Sequence, residues 1–185
     1  SEPVQVEEIY VYMQTNYGTS VTPFYTTLAL WVGGIVLVAL MKVKVDYEDD
    51  EFKDATEHQK YMGRALLFLA MGQLQALVVV LGDLYILKID CTLPFMLWLA
   101  AAITSFVFTL FIYTLVLTFG DLGKAIAVVM IVLQIAGSGG TYPIELLPEF
   151  FQNVYLYFPF PYAINAMREA ISGLYQFDYA VCLVK

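Results

Sequence analysis

Apolar residues gather into four long runs that are separated by short polar segments. The runs cover about residues 23–42, 61–87, 94–119 and 122–137, and charged side chains are rare within them. A helix needs roughly 20 apolar residues to cross about 30 Å of hydrocarbon. We therefore predict an all-α integral membrane protein with four transmembrane helices, within a membrane domain that covers residues 23–185.

The polar segments define the connections. Residues 1–22 alternate weakly between apolar and polar positions, which favours an extended extracytoplasmic lead-in, and Pro23 suits the first turn of a helix. Residues 43–60, VKVDYEDDEFKDATEHQK, carry the densest charge of the chain and predict a cytoplasmic loop.

Lysine and arginine positions set the predicted orientation, because acidic residues contribute little to it. Six basic residues flank the first loop or lie in the GDLGK turn, namely Lys42, Lys44, Lys53, Lys60, Arg64 and Lys124. The opposite side has only Lys88 and Arg168 before the final residue. The loop at 43–60 and the GDLGK turn are thus expected on the cytoplasmic side.

The fourth run ends in a segment rich in glycine and proline, QIAGSGGTYPIELLPEFFQ at 134–152. A break of this kind in the bilayer core would leave backbone groups without partners, so we place it near the outer surface. The prolines that follow predict two short outer helices, 143–158 and 161–174, either re-entrant or interfacial, with Gly173 as a cap. An ordinary structured loop is the alternative, and the apolar FDYAVCLVK predicts the start of a further span.

Composition narrows the function. The chain is 60% hydrophobic and 14% charged, with a net charge of −8, which argues against nucleic-acid binding. Cys91 and Cys182 have no metal or redox spacing, no phosphate-binding glycine loop is present, and one histidine cannot build a catalytic triad. We expect no enzyme activity, no metal and no cofactor.

Several motifs resemble the membrane domain of the YhgE/Pip (phage infection protein) family, which is related to type-2 ABC transporter permeases. The resemblance lies in QIAGSGGTYPIELLPEFFQ followed by FPFPYAINAMREAISG, in NYGTSVTPFYTTLALWVG at 16–33 and in LGDLYIL at 81–87. Members of that family have a first span and a large exterior domain before the region matched here, so we expect a piece of a longer protein.

The resemblance implies a multi-pass protein of the cell (cytoplasmic) membrane of a Gram-positive bacterium, with a function in export or translocation. It also implies a homodimer and an ATPase subunit that docks at 43–60. The alternative is a membrane anchor for a large extracellular domain that acts as a phage receptor or as a scaffold associated with type VII secretion. The alternative to the docking role is that the loop at 43–60 is a solvated connector.

Polar residues within apolar runs are the first functional candidates, because burying them in a membrane is costly without a partner. They are Gln73, Asp83 and Gln134, each of which could instead be a hydrogen-bonding link between helices. The broken region adds Gly137, Gly139, Gly140, Pro143, Pro148, Asn165, Arg168 and Glu169. On the second outer helix we expect Asn165, Arg168 and Glu169 to face away from an apolar face and to stay near water.

Overall fold

The described part of the chain is helical throughout. A computed structural model describes residues 17–43, 56–138, 146, 148–174 and 178–184. In chain order the helices are α1 (Tyr17–Leu40), α2 (Glu57–Leu81, continued by a π-helical turn at Gly82–Ile86), α3 (Pro94–Phe119), α4 (Asp121–Gly137), α5 (Glu149–Val154, followed by a 3₁₀ turn at Tyr155–Tyr157), α6 (Pro159–Ser172) and α7 (Asp178–Val184).

Three of these helices, α1, α2 with its π-helical turn, and α3, are long and apolar enough to cross a membrane. Helix α4 has 17 residues and is therefore about 25 Å long, which is shorter than the hydrocarbon layer. The prediction of an all-helical membrane protein is confirmed, whereas a fourth span at α4 remains a prediction.

Helix α3 is the centre of the bundle. It packs against α1, α2, α4, α6 and α7. Its buried residues, including Leu97, Ala101, Phe108 and Tyr113, cover more than half of its circumference, and Phe106 and Val107 lie on the exposed remainder. A helix that is apolar all round belongs inside a membrane bundle, and its alanines let the neighbouring backbones come close.

Glycines create two of the closest helix contacts. The side chains of Ser105 and Thr109 on α3 occupy the space beside Gly72 of α2, and the Gln75 side chain of α2 lies where a Cβ of Gly33 would be. In contrast, no side chain or distant backbone lies within 4 Å of a Cβ added at Gly63 or Gly82. Those two glycines, which also interrupt an apolar run, do not mediate close packing.

Helix α1 begins earlier than its sequence suggests. It starts at Tyr17, so residues 17–22 of the predicted extended lead-in are helical and Pro23 lies inside the helix. Threonine hydroxyls flank the proline: Thr22 donates to the carbonyl of Gly18 and Thr27 donates to that of Pro23, each at 2.8 Å. Membrane helices tolerate proline where threonine side chains and neighbouring helices pair with the freed backbone groups.

Helix α2 also begins before its predicted start at residue 61. Thr56 caps it through a capping box, in which its hydroxyl accepts from the Gln59 amide and its own amide donates to the Gln59 side chain. Residues 57–60 of the predicted loop are consequently helical. Arg64 on the next turn donates two hydrogen bonds to the Lys42 carbonyl, at 2.9 and 2.7 Å, and so joins the ends of α1 and α2.

The short helix α6 extends from the middle of the bundle to one end. Its first turn places Phe160 against Trp31 in the middle of α1 and Phe108 in the middle of α3, with ring centroids 5.7 and 5.5 Å away. At its other end the carbonyls of Ala170 and Ile171 accept from the amides of Leu93 and Thr92, at 3.1 and 3.0 Å. We call the end with Tyr17, residues 87–93 and Gly173 the predicted outer end, and the opposite end the predicted inner end.

The outer helices differ in their bounds from the sequence prediction. Helix α5 with its 3₁₀ turn covers 149–157, whereas the predicted range was 143–158. Residues 143–145 and 147 of the predicted range lie outside the described part. Helix α6 begins at Pro159, two residues early, and ends at Ser172. Gly173 then adopts a φ of +105°, which L-residues rarely take, and donates its amide to the Glu169 carbonyl, as expected of a glycine cap.

Replacing Gly123 with alanine should destabilise the bundle. A Cβ at this position would overlap the backbone of Leu115 and Val116 near the α3–α4 turn. Backbone atoms cannot move aside as a flexible side chain could. We expect a loss of about 1–3 kcal/mol, typical of overpacking. The measurement is unfolding of the detergent-solubilised protein followed by circular dichroism.

Gly63→Ala is the matched control, because open space surrounds that glycine. Alanine has a higher helix propensity than glycine, so this variant should be as stable as the parent or more stable. Equal stability of the two variants would contradict the close backbone approach at Gly123.

Candidate functional site

Most buried polar side chains of the described residues lie in the half of the bundle nearer the predicted outer end; Thr104, Ser105 and Thr109 in the middle of α3 are the others. The residues of the outer half come from α1, α2, α4 and α6, and α1 packs against each of the other three helices. We call this group the outer polar layer; its members are Thr19, Thr22, Thr26, Thr27, Asp83, Gln134, Ser138 and Glu169. Each is at most 6% exposed, so within the chain they face protein rather than lipid.

Asp83 is held at the α1–α2 contact. It lies in the π-helical turn of α2 and is 6% exposed. The hydroxyl of Thr26 on α1 donates to its Oδ2 at 2.6 Å. A π-helical turn inserts an extra residue into a helix and often marks a functional position, and here it aims the carboxyl group at α1. The structure therefore places Asp83 in the interhelical hydrogen bond that we considered for it.

Gln134 is fully buried, at 0% exposed. Among the described residues, neither its Oε1 nor its Nε2 has a hydrogen-bond partner. It lies on the buried face of α4, two turns beyond Ala127, whose carbonyl accepts from the Trp31 indole at 3.2 Å. Leaving a buried amide unpaired costs about 1–3 kcal/mol, so Gln134 stays a candidate functional residue.

The other glutamines are structural links. Gln73 donates to the carbonyl of Ala102 on α3 at 3.0 Å. Gln75 donates to the carbonyl of Ala29 on α1 at 3.1 Å. Each bond joins α2 to a neighbouring helix, which is the interhelical role that we considered for Gln73.

Helix α6 carries the remaining candidates, and one expectation for them is wrong. Glu169 is 1% exposed and faces the interior instead of staying near water. The apolar face predicted for this helix is too narrow, because Ala166 and Ala170 are buried as well and widen the packed surface toward Glu169. Asn165 and Arg168 lie beside Glu169 on the half-buried part of the helix surface, where Arg168 Nη1 donates to Asn165 Oδ1 at 3.1 Å.

The broken segment contributes less to the described site than its sequence suggested. Gly137 ends α4 and is buried there, and Pro148 is exposed directly before α5. Gly139, Gly140 and Pro143 lie outside the described residues. Of the sequence candidates, the structure brings Asn165 and Arg168 into direct contact.

The buried threonines of α1 were not among the sequence candidates. Thr19, Thr22 and Thr26 follow one another at spacings of three and four residues, so they share one face of a helix. That spacing was present in YGTSVTPFYTT and could have shown a polar stripe. It was hidden by the assumption that Pro23 begins the helix, which left two of the three threonines in an extended segment.

The chemistry of the outer polar layer is hydrogen bonding. Two carboxyl groups, an amide and several hydroxyls lie in this layer, and buried polar groups of this kind in a membrane protein are candidates for contact with a polar solute. Within the described residues no three His, Cys, Asp or Glu side chains converge closely enough to hold a metal ion.

Sequence comparisons agree with this architecture. The sequence profile described as ABC-2 family transporter protein matches residues 57–181, from the start of α2 into α7. This chain belongs to that family of membrane transport proteins. Its predicted resemblance to the YhgE group and to ABC permeases is thereby confirmed.

One relative extends the similarity over nearly the whole chain. The chain is 31% identical to the uncharacterized protein YhgE of Bacillus subtilis (strain 168) over 173 residues, 94% of its own length. It spans 22% of the length of that relative. No solved structure matches the chain significantly.

Removing the Thr26 hydroxyl should weaken the α1–α2 contact. In Thr26→Val the Asp83 carboxyl loses its hydroxyl donor, and hydrogen bonds between membrane helices contribute roughly 0.6–2 kcal/mol. We expect a coupling of that size in a double-mutant cycle with Asp83→Leu, which removes the acceptor, measured by reversible unfolding in mixed micelles.

The control is Thr22→Val, which removes a hydroxyl that bonds within its own helix to Gly18. It should show no coupling to Asp83→Leu. Additive effects of Thr26→Val and Asp83→Leu would mean that the two side chains do not interact in the membrane protein.

Proposed function

We propose that this chain is the membrane domain of a permease that exports or translocates a substrate across the cytoplasmic membrane of a Gram-positive bacterium. It is not an enzyme itself, and a separate ATPase subunit supplies the energy. The observation that carries the proposal is the family match from α2 to α7 together with the unpaired, fully buried amide of Gln134. A transporter needs interior polar groups that are free to meet a solute, whereas a passive bundle does not.

We further propose a topology of four spans and a re-entrant hairpin. Helix α4, about 25 Å long, is the fourth span of this topology and would cross most of the hydrocarbon layer. Helix α6 has 14 residues, about 20 Å, which is too short to cross the bilayer. Its contacts with the middle of α1 and α3 and with residues 91–93 support an element that enters from the outer surface and returns to it.

The proposed ATPase site is the predicted inner end. The loop at 43–60 begins beside Lys42 and ends at the capped start of α2, and the Arg64–Lys42 bonds hold these two points together. A groove of about 390 Å³ opens next to them, lined by the end of α1 and by Gly120, Asp121 and Lys124 of the α3–α4 turn. Docking there would let a partner push on α1, α2 and α4 at once. In the proposed assembly two copies of the chain form a homodimer, so that each can engage one ATPase.

Replacing residues 46–55 with a glycine-serine segment of equal length tests the docking. The change keeps the Thr56–Gln59 cap, so α2 should fold as before. We expect recovery of an ATP-hydrolysing subunit with the affinity-purified chain to fall roughly tenfold or more, because interface energy concentrates in few residues.

A scrambled order of the same ten residues is the matched control for charge. Loss of the subunit in both variants would indicate sequence-specific docking, and loss in the glycine-serine variant alone would indicate docking by charge. Full recovery of the subunit from both variants would rule out this loop as the docking site.

Single cysteines test the proposed orientation. Burial raises the pKa of the Cys91 thiol and makes it a slow reporter, so both native cysteines are first replaced by alanine. Lys88→Cys should then react with a membrane-impermeant maleimide in intact cells, because residue 88 is exposed at the predicted outer end. Asp121→Cys, exposed at the predicted inner end, should react only after permeabilisation; the reverse pattern would invert the topology.

A second function has one observation in its favour. Because the chain spans 22% of the length of its Bacillus subtilis relative, the activity of the longer protein could reside elsewhere. In that case the bundle would anchor an extracellular domain that serves as a phage receptor or secretion scaffold. An anchor needs no ATPase, so the partner-recovery experiment separates the two functions.

A further inference from the structure

Among the described residues, Arg168 has no acidic partner of the kind that a half-buried arginine in a membrane bundle usually has. Its only side-chain hydrogen bond among the described residues goes to neutral Asn165, at 3.1 Å. Asn165 also bonds the Tyr155 hydroxyl, and Arg168 acts electrostatically on that tyrosine. The described ion pairs, Lys60–Glu57 and Lys124–Asp121, both lie at the other end of the bundle. The guanidinium, which has five N–H donors, therefore has donors left for an anion.

We call Arg168, Asn165 and Tyr155 the Arg168 cluster. An apolar groove begins beside it. It has a volume of about 180 Å³ and lies between α3, α6 and α7. Ile103 and Val107 line it on α3, Ala163 on α6 and Leu183 on α7. Tyr162 and Cys182 belong to its wall and also act electrostatically on Tyr155, so the groove and the cluster adjoin.

We propose that the Arg168 cluster and this groove form a binding site for an anionic phospholipid of the outer leaflet. Arginine pairs with phosphate through parallel hydrogen bonds, and the groove offers apolar surface to an acyl chain. The depths of the two parts suit a lipid: Arg168 is one turn from the outer end of α6, whereas Pro159 and Ala163 of the groove are deeper. The site requires the cation to lie nearer the surface than the groove, and it does not depend on ATP or on a transported substrate.

Charge and position decide in favour of a lipid over other occupants. A soluble phosphate would use the guanidinium but not the groove, and an uncharged detergent would use the groove but not the guanidinium. Only a molecule with a negative head and an apolar tail satisfies both. The lipid would tie α6 to α3 and α7, and hold the outer hairpin in place.

Native mass spectrometry of the purified chain in mild detergent tests the site. The probes are phosphatidylglycerol and phosphatidylcholine with identical acyl chains. We expect the parent protein to bind phosphatidylglycerol roughly tenfold or more tightly, because a charge-assisted hydrogen bond contributes at that level. Arg168→Gln should abolish the preference, and Arg168→Lys should retain part of it.

Two further variants separate the head from the tail. Ala163→Leu fills the groove and should weaken both lipids alike. Lys88→Gln removes another cation at the same end and should change neither, which makes it the control for general surface charge.

Several outcomes would overturn the site. They are equal binding of the two lipids by the parent protein, an unchanged preference in Arg168→Gln, and loss of the preference in Lys88→Gln. Displacement of phosphatidylglycerol by glycerol phosphate at equal concentration would show that a free phosphate, and not a lipid, is the ligand. If Arg168→Gln does not fold, as judged by circular dichroism, the Lys88→Gln, Ala163→Leu and glycerol phosphate results still decide the question.

Discussion

Hydrocarbon offers no partner to a backbone or side-chain polar group, so each such group in a membrane bundle needs one inside the protein. This constraint explains how the helices of the chain are joined. Gln73, Gln75, Ser105 and Trp31 each donate to a backbone carbonyl of another helix. Because lipid is as apolar as leucine, such bonds and close contacts, rather than hydrophobic burial, hold the helices in register.

The same constraint sets the unusual position of α6. A short helix inside a membrane protein exposes unpaired groups at both ends unless other elements reach them. Residues 92 and 93 supply amides to its last carbonyls, and its first turn packs into aromatic side chains of α1 and α3. Helix α6 is thus held at both ends by other parts of the bundle, although the sequence around it resembles a surface loop.

Much of this architecture was readable from residue patterns. Run lengths predicted the long helices, and Gly173 predicted the end of α6, because both depend on local chemistry. Burial around α6 was less predictable: Glu169 lies on a face whose neighbours are alanines, and small residues give little signal until the opposing helix is known. The start of α1 was misjudged because proline commonly opens a helix, whereas in this bundle threonine hydroxyls and packing keep Pro23 inside one.

The link between α2 and α6 is a chain of main-chain bonds. Ile89 donates to the carbonyl of Asp83, and three residues later Thr92 donates to that of Ile171. The stretch between them is only a few residues long and has little slack. A displacement of α6 along its axis would therefore be transmitted through residues 89–92 to the backbone of Asp83, the residue that bonds Thr26 on α1.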